Sequence, residues 1–222
     1  MPRTARASVG GVCYHVMNRG NDRAMVFHDE RDYQAAVDLI GPACDRLAMR
    51  VLDYCLMPNH FHLVLWPHGD GDLGRWMHWL MTSHVRRHHR RHGGSGHVWQ
   101  GRFKAFPIQR DSHLLTVLRY VERNPVRAEL VRLAEQWPWS SAHWLGRRDR
   151  PAWLSAWPVP RPRRWRQWVN EPQTAAELAT LRLAVARGRP LGDPRWVKRT
   201  ARRLALEFTL RPPGRPKKHA KK

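Results

Sequence analysis

The chain has 222 residues, with 40 Lys+Arg against 18 Asp+Glu, a formal net charge of +22 and an isoelectric point near 11.5, so it repels itself unless it works against a polyanion, most simply nucleic acid. A hydrophobic content of 42% excludes wholesale disorder, and no stretch approaches the roughly 20 apolar residues of a membrane-spanning helix. Cys13, Cys44 and Cys55 lack any CxxC spacing, which excludes a disulfide framework and an ordinary zinc finger. The opening "MPRTARASVGG" has no apolar centre of the kind a signal peptide needs, so a cytoplasmic, nucleoid-associated protein without a membrane partner is expected.

Along the chain, "VCYHVMNRGN" (12–21) alternates Val12, Tyr14 and Val16 and predicts a strand ending in an Arg-Gly-Asn turn. "DERDYQAAVDLI" (29–40) predicts a helix capped by Asp29 and interrupted at Gly41-Pro42. "RVLDYCL" (50–56), a Met57-Pro58-Asn59 turn and "HFHLVLW" (60–66) make a hairpin. Residues 73–91 place Leu73, Trp76 and Leu80 on one helical face with arginines at the far end; "GGSG" (93–96) breaks the chain. "HVWQGRFKAFPIQR" (97–110) reads as a strand with a turn at Gly101, and "HLLTVLRYVERN" (113–124) as a helix stopped by Pro125.

This order predicts an α+β, ferredoxin-like split βαβ domain: a four-stranded antiparallel sheet with helices on one face and an open face of the kind that receives single-stranded nucleic acid. After residue 136 tryptophan and proline concentrate, which predicts a loop-rich extension wrapped on the main domain, with helices near 173–187 and 194–208. The expected divisions are 1–145 for the main domain, 146–210 for the helical C-terminal extension and 211–222 for a basic, disordered tail, "RPPGRPKKHAKK".

Two histidines flank one phenylalanine in "HFH". On a strand, side chains two apart share a face, so His60 and His62 emerge together while Phe61 points into the opposite layer. That geometry suits metal chelation, and equally two satisfied, partly buried histidines. Tyr120 and Asn124 stand four apart on the helix predicted over 113–124, hence on one face, although Pro125 leaves the direction of Asn124 open. "HVRRHHRRH" (84–92) invites a metal-tract reading, but its interleaved arginines favour a basic helix face.

The ordered blocks "YHVMNRGN", "MPNHFHLVL", "GHVWQGRFKAFPI", "YVERNPVRAELV" and "WPWSSAH" resemble the single-tyrosine HUH transposases (IS200-like), and among them the REP-associated tyrosine transposases, over roughly residues 12–145. "RGRPLGD" and "GRPKK" resemble the C-terminal region of the same group more loosely. The resemblance implies Tyr120 as nucleophile, His60 and His62 as metal ligands and Asn124 as the third, with glutamine often standing at that last position in insertion-sequence relatives. It further implies a divalent metal, Mg²⁺ or Mn²⁺, although ligand identity alone equally allows Zn²⁺. The implied partner is single-stranded hairpin DNA, nicked and rejoined at repetitive extragenic palindromes through a 5′-phosphotyrosine. A monomer is expected from the same resemblance, with a dimer not excluded.

For phosphate contacts the expected residues are Arg19, Arg102, Lys104, Arg110, Arg123 and Arg127, with Trp99 stacking on a base and Arg215, Lys217 and Lys218 adding sequence-independent affinity. Two other readings stand beside this one: a catalytically idle hairpin-binding protein, and a nuclease in which a metal activates water and Tyr120 is structural.

Overall fold

A computed structural model describes residues 8–211, so Arg215, Lys217 and Lys218 lie outside the described residues. Four strands, β1 (Cys13–Arg19), β2 (Met49–Met57), β3 (His60–Pro67) and β4 (Lys104–Ile108), form one antiparallel sheet in the order β2-β3-β1-β4. Every neighbouring pair is antiparallel, and β3 separates β1 from β2, as a split βαβ unit requires. The expected strand over 97–110 is reduced to β4; residues 97–103 are loop, attached by an isolated bridge from Trp99 to Gly20.

The helix expected over 29–40 is two. Helix α1 (Glu30–Val37) starts at Asp29, whose side chain accepts from Asp32 N, and α2 (Ile40–Arg46) places Pro42 in its first turn, where a missing N–H leaves no bond unmade. Helix α3 runs Asp72–His92 and α4 runs Ser112–Glu122 from an Asp111 cap. Pro125 does end the long helix region, but the chain continues as a single turn, α5 (Asn124–Arg127), with the proline again in a first turn.

Strand alternation sorts the core into two layers. Tyr14, Val16, Leu63 and Leu65 face Tyr33, Ile40, Trp76 and Met77 of the crossover helices α1 to α3. Cys13, Cys55, Val64, Phe106 and Ile108 face Leu114, Val117 and Val121 of α4. Here the expectation of helices on one face is corrected: the crossover helices do share a face, but the second face is covered by α4 and the C-terminal extension. The physical reason is the apolar composition of that face, which water alone does not cover cheaply.

The extension contributes α6 (Trp165–Asn170), which its sequence did not predict, then α7 (Ala175–Arg187) with a Thr174–Glu177 capping box, and α8 (Pro194–Arg203) capped by Asp193. Trp165, Val169 and Leu181 join the same core as α4. Its tryptophans also close the outer edge of β2: Trp137 Nε1 donates to Leu56 O and Trp157 Nε1 to Leu52 O, each at 2.8 Å. An otherwise unpaired strand edge is thereby satisfied.

Two carboxyls are sealed in this second core. Asp53 on β2 and Glu122 at the end of α4 are both fully buried, and Glu122 accepts from Trp165 Nε1 at 2.7 Å. Burial pushes the Glu122 carboxyl up to about 7; Asp53 is raised as well, by burial first and then by Glu122 beside it. A carboxyl raised in the folded state loses its stabilising contribution as pH climbs through the folded value. Glu122→Gln keeps an acceptor for Trp165 and is expected to stabilise the protein at pH 8 by about 3 kcal/mol while changing little at pH 4. Urea unfolding at the two pH values measures this, and equal shifts at both would contradict it.

Candidate active site

The β2–β3 hairpin places His60 at the first position of β3 and His62 two residues on, with β1 alongside in the register Arg19↔His60 and Met17↔His62. The ring centroids of His60 and His62 are 5.0 Å apart with planes nearly perpendicular. On α4, Tyr120 stands edge-on to His62 at 5.6 Å between ring centroids, and only 8% of it is exposed. Two imidazoles and one phenol therefore converge between sheet and helix, on the second face.

Each histidine is held by a neighbour. His60 Nδ1 lies 2.7 Å from Asn59 Oδ1, so it donates there and its Nε2 lone pair is left for a ligand role. His62 Nδ1 lies 2.9 Å from Nε2 of His15, a buried residue of β1 stacked on it at 5.0 Å. If His62 is to offer Nε2 to a metal, its Nδ1 donates to His15. His15 was not among the sequence-derived site residues. Its odd position on β1, opposite in parity to Tyr14 and Val16, was the available signal.

Burial lowers all three imidazoles: His15 to about 3, His60 to about 4 with Arg19 and Arg127 adding to the effect, and His62 further below its ordinary value with His15 and His60 adding. Neutral imidazoles keep the lone pairs that metal coordination needs. Burial in this polar cluster is expected to make His15→Gln weaken divalent-metal binding about 10- to 100-fold, the usual cost of losing an outer partner of a ligating histidine. Isothermal titration with Mn²⁺ tests it; unchanged affinity would make His15 a packing residue only.

The other expected residues divide by placement. Arg19 and Arg127 flank the pair closely enough to act on both His60 and His62, and the Arg127 guanidinium stands 4.4 Å over the Tyr120 ring. Lys104 and Arg102 are exposed on and just before edge strand β4. Arg110 is exposed and stacked on Trp66 at 4.8 Å.

Three of the expected residues make contacts within the protein. Trp99 is 4% exposed and packed against Phe27, Phe61 and His84, so it holds the core and offers no face to a base. Arg123 donates to the Val169 and Asn170 carbonyls, which ties α4 to the extension rather than to phosphate. Asn124 donates through Nδ2 to Tyr120 O at 2.9 Å while its Oδ1 accepts from Arg127, which leaves that oxygen one further lone pair. Arg119, on the same helix, donates to Trp168, Glu171 and Pro172 carbonyls, a second tie between α4 and the extension.

A central strand that presents His–hydrophobe–His, with a single tyrosine of α4 beside it, is the arrangement expected of the single-tyrosine HUH class. The chain belongs to the family described as Transposase IS200 like, whose model matches residues 8–124. A curated Haemophilus influenzae protein described as a REP-associated tyrosine transposase is 28% identical over 111 residues, covering 45% of this chain; the match spans 62% of that relative's length. A solved structure of a REP-associated tyrosine transposase bound to a REP hairpin aligns with a TM-score of 0.56 at 21% identity, over 68% of this chain and 89% of that one, a likeness of fold. Among the described residues no helix is long and apolar enough to cross a membrane.

Proposed function

We propose that this chain nicks and rejoins single-stranded DNA at palindromic hairpins through a covalent tyrosine intermediate. The observation that carries the reading is the convergence of His60, His62 and Tyr120 on one face of the sheet. The donor set fits a divalent metal, since both imidazoles are neutral and His60 is oriented by Asn59 to leave Nε2 available. Held by His60 and His62, a Mg²⁺ or Mn²⁺ ion would supply Lewis-acid polarisation of the scissile phosphate. The second lone pair of Asn124 Oδ1, beside the one that accepts from Arg127, would add an oxygen to that set.

The chain's own residues do the rest. Arg19 and Arg127 place positive charge beside the phosphate, where negative charge builds in the transition state. Tyr120 attacks phosphorus; the new Tyr O–P bond forms as the P–O3′ bond breaks, and the proton given up by the phenol ends on the departing 3′-oxygen. The link conserves the bond energy, so the reverse attack by a 3′-hydroxyl rejoins strands without a nucleotide cofactor. The cis ties from Arg119 and Arg123 to the extension support a monomer that uses its own tyrosine.

Incubating labelled single-stranded palindrome hairpins with the protein and Mn²⁺ should yield a protein–DNA adduct on a denaturing gel, absent with His60→Ala. Cleavage without an adduct would favour a hydrolytic nuclease. Tight binding with no cleavage would favour the binding protein.

A further inference from the structure

Three histidines far from Tyr120 meet on the other face of the sheet. His88 and His92 stand one turn apart on α3, and His28 immediately precedes the Asp29 cap of α1. One ligand nitrogen from each lies within 4.8 Å of the others, and the His92 ring is 4.8 Å from both of its neighbours. We propose that His28, His88 and His92 form a second, structural site for a Zn²⁺-class transition metal, clamping the segment after β1 to the end of α3.

Two features point to a ligand. Both ring nitrogens of His88 are shielded from water and without a hydrogen-bond partner, a cost that a coordinate bond removes. The Asp32 carboxylate templates the other two: it accepts from the His28 backbone N–H at 2.9 Å and pairs with His92 Nε2 at 2.9 and 3.0 Å. A carboxylate on one imidazole nitrogen leaves the other, Nδ1 of His92, as the donor, the usual outer pairing of a zinc-bound histidine. Nitrogens of a tetrahedral zinc site sit about 3.3 Å apart, so side-chain rotation at the helix surface must close the cluster by about 1.5 Å.

Donor chemistry selects the metal. Three imidazoles with no oxygen ligand among them suit Zn²⁺ and its transition-metal neighbours better than Mg²⁺ or Ca²⁺, which favour oxygen. Arg31, Arg87 and Arg91 line the adjoining hollow, but Arg91 is paired with Asp29 and Asp32 at 2.5 Å, so the charge facing the ligands is reduced. A clamp here reaches the strand end that bears His60. Val26 N and Phe27 N donate to Pro58 O at 2.8 and 3.1 Å, and Asn59, which orients His60, donates to Arg23 O at 3.0 Å.

The test removes the first site to isolate the second. Metal-stripped His60→Ala protein titrated with Co²⁺ should bind one equivalent with visible d–d absorption that Zn²⁺ displaces. At a hundredfold excess of Zn²⁺ over its Kd, Tm should rise by about 5–10 °C. Adding His88→Gln and His92→Gln should abolish both signals with an unchanged far-ultraviolet spectrum. Equal Co²⁺ uptake with and without those two histidines, or no band in His60→Ala, would overturn the proposal. His88→Gln/His92→Gln in the otherwise natural chain should still form the DNA adduct with Mg²⁺, so the fate of the nicking reaction is read separately.

Discussion

Tyr120→Phe should abolish the covalent protein–DNA adduct and reduce hairpin cleavage by at least about 10³-fold, because the substitution removes the only atom that forms the new bond to phosphorus. The ring itself remains, so its contacts with His62 and with the Arg127 guanidinium survive and hairpin affinity should change by less than about threefold. That split between binding and turnover distinguishes a nucleophile from a packing residue. Gel-resolved adduct yield and fluorescence anisotropy of the same labelled hairpin measure the two quantities. Cleavage that persists in Tyr120→Phe would transfer the attack to water and make the tyrosine structural.

Acidification should unfold the metal-free protein between pH 6.5 and 4, well above the range in which carboxylate loss alone would act. His15 and His60 are held near 3 and 4 by burial, and half-buried His84 near 4 by the same cause, against 6.5 for an exposed imidazole. The unfolded chain therefore takes up protons first as pH falls. The stability these histidines contribute is complete above about 6.5 and is lost progressively toward the folded values. Holding the His60 imidazole near 4 rather than 6.5 alone corresponds to about 3 kcal/mol once the pH is below 4, a large part of the 5–15 kcal/mol typical of a domain.

The buried pair Asp53 and Glu122 works in the opposite direction, losing stability as pH rises toward 7, so the optimum should lie near pH 6 to 6.5. Tryptophan fluorescence across a pH series gives the midpoint. His84→Phe, which keeps a ring against Phe27 and Trp99, should move that midpoint to lower pH. A midpoint below pH 4, unmoved by this substitution, would show that the histidines titrate without unfolding the protein.

What local sequence determines is visible in the element order and in the central triad. Strand parity alone put His60 and His62 on one face with Phe61 on the other, and the core confirms that Phe61 belongs to the layer of α1 to α3. Helical spacing put Tyr120 and Asn124 on one side of a helix end. Capping residues Asp29 and Asp193 and the Thr174–Glu177 box mark helix starts because each acts within three residues.

The rest depends on partners distant in the chain. His15 faces His62 only because β1 pairs with β3 in one register, 47 residues apart. Trp99 is exposed or buried according to whether Phe27 and Phe61 arrive to cover it, and here they do. Arg123 resembles a phosphate-binding arginine until α6 presents two carbonyls to it, and the Asn124 oxygen is shared with Arg127 only through the turn of α5. His28 meets His88 and His92 only across the packing of α1 on α3. Periodicity and capping are short-range and survive in the sequence; side-chain partnership is set by which surfaces the apolar core brings together, and only tertiary packing decides that.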